Sequence, residues 1–136
     1  MRCRRSHSFA FRVDDRLIWF RHLPTLAGMA IAHAVSGDVV DLRAPSSPDR
    51  TVALFKAPDL EAMRLILAAG KTMPEHSVPG SLTVQCLKGR IELVLPDRSP
   101  VLEAGQFAYL GGGVPHALRA LEDSDVLVTL VIVQAA

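Results

Sequence analysis

The chain has 136 residues with a formal net charge of +1, 49% hydrophobic and 21% charged, which leaves room for one domain with a modest core and excludes a disordered chain. No run approaches the ~18 apolar residues of a membrane span, and so small a net charge argues against a nucleic-acid binder. The total hides an asymmetry, because residues 1–34 carry six arginines against Asp14 and Asp15, a local net of +4, while residues 35–136 carry a net of −3.

In chain order, residues 1–34 read as a basic N-terminal extension and 35–136 as the folded domain. The extension holds an apolar run, Leu17-Ile18-Trp19-Phe20, between Arg16 and Arg21, then a second apolar segment from Leu23 to Ala34. A basic start, an apolar middle and an Ala32-His33-Ala34 end permit a secretory signal, but Asp14, Asp15, Pro24 and Gly28 interrupt that pattern. A natural start at Met29, with a solvated arginine tail before it, is the simpler reading. Cys3 and Cys86 stand in different contexts and form no CxxC pair, so a reducing cytoplasm is expected rather than a disulfide.

Ser36 to Arg50 is turn-rich, with Val39–Leu42 as a short leading strand. From Thr51 the pattern is almost all strand: Thr51–Lys56, then Ala62–Ala69 with Met63, Leu65 and Leu67 on one face and Arg64 on the other. Asp59–Met63 alone has room for a helical turn. Gly70–Gly80 reads as a turn region. Leu82, Val84 and Cys86 share an inward face, Ile91 and Leu93 another, and Pro96–Pro100 turns a hairpin back into Val101–Ala104. Gln106–Leu110 and His116–Leu121 follow, with Phe107 and Tyr109 expected in the core. Val126–Val133 is apolar on both faces and therefore central in its sheet or covered by a second subunit. Short strands at regular spacing predict an all-β sandwich or barrel, and the two-sided last strand suggests a homodimer.

The core of the pattern is residues 70–120: Gly70-x5-His76-x-Val78-x3-Leu82-x6-Gly89 followed by Gly105-x5-Gly111-x-Gly113-x2-His116-x3-Ala120. The spacing resembles the two motifs of the small, single-domain cupins, the conserved-barrel type of the RmlC-like jelly-roll superfamily, and implies a double-stranded β-helix (jelly-roll) barrel. In that family the first motif supplies two histidines and a glutamate and the second a third histidine, together holding one divalent metal. Period two explains the pattern, since residues i and i+2 on a strand project to one face. Here His76 and His116 match, whereas Val78 and Leu82 fill the other ligand positions, and Gly111 and Ala120 replace the usual proline and asparagine.

The resemblance thus implies a pocket lined by His76, Val78, Leu82 and His116. Three readings stay open: a protein that binds a small molecule there with weak or no metal; an oxygenase or isomerase in which His76 and His116 hold a divalent metal (Zn, Fe, Mn, Ni or Cu) or act as catalytic bases; and a non-catalytic regulatory or structural dimer with a vestigial pocket. Cys86 lies ~13 Å along the strand from Leu82 at ~3.3 Å per residue, too far to share an ion. Gln85 and Glu75 have the opposite parity unless a bulge re-aims them. Ser77 and Ser81 lack an acid partner and elbow motif, and Gly111–Gly113 lacks the helix and lysine of a phosphate loop.

Overall fold

A computed structural model describes residues 33–45 and 49–134. The arginine cluster of the leader, the signal-like segment to Ala32, Cys3, Met29 and residues 46–48 lie outside the described residues. Nine strands are present: β1 (Arg50–Lys56), β2 (Leu60–Leu67), β3 (Thr72–His76), β4 (Leu82–Lys88), β5 (Arg90–Val94), β6 (Val101–Glu103), β7 (Phe107–Leu110), β8 (His116–Ala120) and β9 (Ser124–Val131). They form a five-stranded sheet of order β1-β2-β9-β4-β7 facing a four-stranded sheet of order β3-β8-β5-β6. Every pairing is antiparallel. This is the jelly-roll barrel that the cupin resemblance implied, and it contains no helix among the described residues.

Alternation in the sequence becomes two faces of each sheet. Met63, Leu65, Val84, Cys86, Ile91 and Leu93 are each no more than 1% exposed and meet between the sheets. Each large aliphatic side chain buried there contributes roughly 2 kcal/mol. The apolar β9 is the middle strand, paired with β2 from Leu60↔Val131 to Leu67↔Ser124 and with β4 on its other side. At the β4–β5 turn Gly89 adopts φ 86°, and a Cβ there would lie 2.3 Å from the Asp123 carbonyl oxygen.

Several expectations need correction. Val39–Leu42 forms no strand, and Val39 is 93% exposed. The Asp38 carboxylate accepts the Val35 N–H and the Asp41 carboxylate accepts the Arg43 N–H; such local bonds offer the backbone an alternative to a ladder. Asp59–Met63 holds no helical turn, because the eight-residue register with β9 takes in Leu60 onward. The Gly70–Gly80 region contains β3, whose alternation is broken by a bulge between Met73 and His76. Phe107 and Tyr109 are 65% and 67% exposed, on the outer face of edge strand β7 and not in the core.

Arg64 does project outward, as its parity predicts, yet it is buried. Residues 33–45 run over that part of the sheet, with the Ala34 N–H donated to the Leu54 carbonyl and Arg64 Nη2 donating to the Ala44 carbonyl. Beneath this segment Arg64 Nε donates to Asp125 Oδ1 at 2.9 Å, and Nη2 donates to Oδ2. The pair is 8% and 9% exposed.

Candidate functional site

His76 closes β3 and His116 opens β8, and the two are direct cross-strand partners. The bulge in β3 matters for placement: it turns Met73 and His76, an odd number of residues apart, to the same interior side. The imidazole centroids lie 4.5 Å apart with the planes inclined at 58°. Each ring is fixed by the same local device, since His76 Nδ1 bonds the Pro74 carbonyl at 3.0 Å and His116 Nδ1 bonds the Val114 carbonyl at 2.9 Å. A carbonyl only accepts, so Nδ1 carries the proton in both rings, and in the neutral form Nε2 bears the lone pair.

Both histidines are 4% exposed. They border an interior cavity of about 10 Å³ together with Met73, Val78, Leu82, Val84, Leu118, Val128 and Leu130. All four positions singled out from the sequence, His76, Val78, Leu82 and His116, therefore sit around one space. Met73 was not visible as a wall residue, because only the bulge turns it inward. Cys86 lies outside this lining, its thiol directed at the Lys88 and Gly89 carbonyls and its pKa pushed up by burial. Glu75 is exposed, and Gln85 and Ser77 are half-buried without reaching the lining. Ser81 lies beside Tyr109, 3.5 Å between the hydroxyls.

The two motif loops close the barrel over this pair. The Gly113 N–H is donated to the Val78 carbonyl at 2.7 Å, and a Cβ on Gly112 would stand 2.1 Å from the Pro79 carbonyl oxygen. Gly111–Gly113 thus packs directly against the Val78–Pro79 loop. One further buried acid escaped the sequence reading. Glu61 shares the inward parity of Met63 and is 2% exposed, its pKa raised by desolvation and opposed by the Lys56 ammonium 3.8 Å away.

Burial also pushes the His116 pKa below the ordinary imidazole value, against the raising effects of its bond to Val114 and the charge of Glu75. A depressed folded-state value means that the unfolded chain binds the proton first on acidification. The corresponding stability is complete above the unfolded value of about 6.5 and is lost as pH falls through the folded value. In urea melts from pH 7.5 to 5, the wild type is expected to lose more stability than His116→Gln. A wild-type-to-variant difference that stays constant across that range contradicts this.

The donors do not fit the divalent ion of the fold family. A dedicated site has three or four protein ligands, and here Val78 and Leu82 carry no lone pairs. No group of three or more His, Cys, Asp or Glu side chains comes together among the described residues.

No curated protein matches the sequence. Among solved structures, a conserved protein of unknown function from Streptococcus pyogenes is similar at 26% identity and TM-score 0.64, covering 78% of this chain and 99% of its own. An RmlC-like cupin from Desulfovibrio desulfuricans is similar at 24% identity and TM-score 0.57, covering 74% and 95%. A Methanocaldococcus jannaschii RmlC-like cupin with a double-stranded β-helix fold shares 16% identity at TM-score 0.60, covering 73% and 94%. The cupin domain pattern matches residues 63–133, more than half of the sequence and inclusive of both histidines. With this match, the two-motif spacing and the paired antiparallel sheets, the chain belongs to the cupin domain family.

Proposed function

We propose that this cupin is a non-catalytic binding and assembly module: its interior takes a water-sized guest between His76 and His116, and its outer sheet face joins a second copy. The observation that carries the first half is the cavity of about 10 Å³. That is the space of roughly one water molecule, whereas pockets for drug-sized organic ligands run to ~300–1,000 Å³. On this reading the aliphatic side chains of Val78 and Leu82 fill most of the space beside the histidines. A small organic ligand has no space there without displacing Val78 or Leu82, and a divalent-metal oxygenase or isomerase lacks its donors. These two facts favour the non-catalytic reading.

The second half rests on the outer face of the five-stranded sheet. Phe107 and Tyr109 are exposed on β7, across from Gln85 and Thr83 of β4, which in turn face Leu127 and Thr129 of β9. Val131 at the end of β9 is 44% exposed. The face has two large aromatic rings and no charge among these residues, and among the described residues β7 is an edge strand with one side unpaired. An uncharged aromatic patch beside an edge strand fits an isologous contact with another copy. Light scattering is expected to give a dimer at micromolar concentration, and Tyr109→Glu or Phe107→Glu to weaken the association at least ten-fold. A monomeric wild type at that concentration rules out the dimer.

A further inference from the structure

We infer that the protein carries a second binding site outside the barrel, a cleft on the outer face of the five-stranded sheet that takes a small zwitterion, an α-amino acid with an apolar side chain. The cleft has a volume of about 550 Å³, within the ~300–1,000 Å³ of pockets for small organic ligands. The space between the histidines, at about 10 Å³, is far below that range.

Register builds the cleft. Residues 42–45 run over the sheet, and Leu42, Ala44 and Pro45 contribute to its lining. The rest comes from adjacent strands, where Ile66 of β2 and Lys88 of β4 are both cross-strand partners of Asp125 on β9. Strict alternation would send only one of Leu87 and Lys88 to a given face. The register shift between Cys86 and Lys88 lets both line the cleft. Ile66, Leu87 and Leu42 are half-buried and supply an apolar surface between charged neighbours.

The polar groups decide the ligand, because most of them are already engaged. Asp125 accepts from Arg64 Nε and Nη2, Ser124 Oγ bonds the backbone of Arg90 and Glu122, and Arg43 is matched by Asp41. Asp123 Oδ1 accepts the Ala69 N–H at 2.8 Å. Three groups are left with no protein partner among the described residues: Arg64 Nη1, the Lys88 ammonium and Asp123 Oδ2. Arg64 is only 8% exposed, yet its Nη1 is not sealed from solvent. Two unspent cationic donors and one unspent carboxylate oxygen are the complement of a ligand with one carboxylate and one ammonium.

The three also lie close together, as a zwitterion with both charges on one carbon requires. Lys88 is opposite Asp125, the residue that holds Arg64. Gly89, next to Lys88, approaches Asp123 so nearly that a Cβ there would lie 2.3 Å from the Asp123 carbonyl oxygen. Lys88 and Asp123 nevertheless form no ion pair with each other among the described residues.

The test is an amide and imidazole NMR titration of the full chain with phenylalanine, with hydrocinnamate, which lacks the ammonium, and with phenethylamine, which lacks the carboxylate. Phenylalanine is expected to shift the amides of Ala44, Leu87, Lys88 and Asp125 saturably in the millimolar range or below, with the His76 and His116 rings unmoved. Each one-charge analogue should bind at least ten-fold more weakly. Asp123→Asn keeps an oxygen for the Ala69 N–H and should weaken phenylalanine at least five-fold without weakening hydrocinnamate. Lys88→Gln changes an exposed side chain, and should weaken phenylalanine at least five-fold without weakening phenethylamine. No saturable shift at the cleft, an analogue bound as tightly as phenylalanine, or an unchanged phenylalanine affinity in either variant would each overturn the proposal. Failure at the cleft leaves the reading of the interior untouched, whereas shifts of both imidazoles in place of the cleft amides would overturn both.

Discussion

Asp125→Ala is expected to destabilise the barrel by about 3 kcal/mol, because it removes the carboxylate that pairs the buried Arg64 guanidinium. The pair sits on the outer face of β2 and β9 beneath residues 41–45, with Asp125 accepting from both Nε and Nη2 of Arg64. The partner charge holds the Arg64 pKa above its ordinary value, chiefly through that side-chain hydrogen bond. For a domain of about this size, such a loss lowers the melting temperature by roughly 15 °C. The double variant Arg64→Met, Asp125→Leu should recover most of the stability, since apolar residues of similar volume often replace a buried ion pair without loss. A fall of less than about 1 kcal/mol in Asp125→Ala would mean that the pair behaves as an exposed ion pair.

Gly112→Ala should cost about 2 kcal/mol or more through steric overlap. Its new Cβ would stand 2.1 Å from the Pro79 carbonyl oxygen and 3.1 Å from the carbonyl carbon. Neither is a flexible side-chain end that can swing aside. Proline fixes its own φ, and the same loop is tied through Val78 to the Gly113 N–H. The motif loops must therefore part, which opens the end of the barrel above the histidines. Gly111→Ala is the control, because a Cβ there meets only the Tyr109 hydroxyl, at 3.7 Å. It should be within ~0.5 kcal/mol of wild type, as ordinary surface changes are. Equal melting temperatures for the two variants would contradict the close approach.

What the sequence made legible follows from which forces are local. Leu82, Val84 and Cys86, or Ile91 and Leu93, announce their inward face by parity alone, and the motif glycines are backbone requirements of turns: Gly70, Gly89, Gly105 and Gly113 all adopt positive φ. The meeting of His76 with His116 was legible through the family spacing, and the structure realises it as a cross-strand pair. The bulge before His76 was not legible, since Pro74 and Glu75 hide a strand that depends on pairing with β8. For that reason Met73 was missing from the wall. Arg64 and Asp125 were hidden for a related reason, as parity reports which face a residue occupies but not that another segment covers it. Phe107 and Tyr109 show the converse, because an aromatic residue on a strand is ordinarily inside, whereas on β7 Ala108 and Leu110 take the inward face and leave both rings outside.

The most direct measurement is the NMR response of the His76 and His116 imidazoles to a library of small organic fragments, with signals assigned through His76→Gln and His116→Gln. The expected result is that no fragment shifts both rings, because the space between them is about 10 Å³. A saturable organic ligand that shifts both imidazoles, and whose binding is lost in Val78→Phe, would contradict a water-sized site and restore the barrel as a small-molecule pocket.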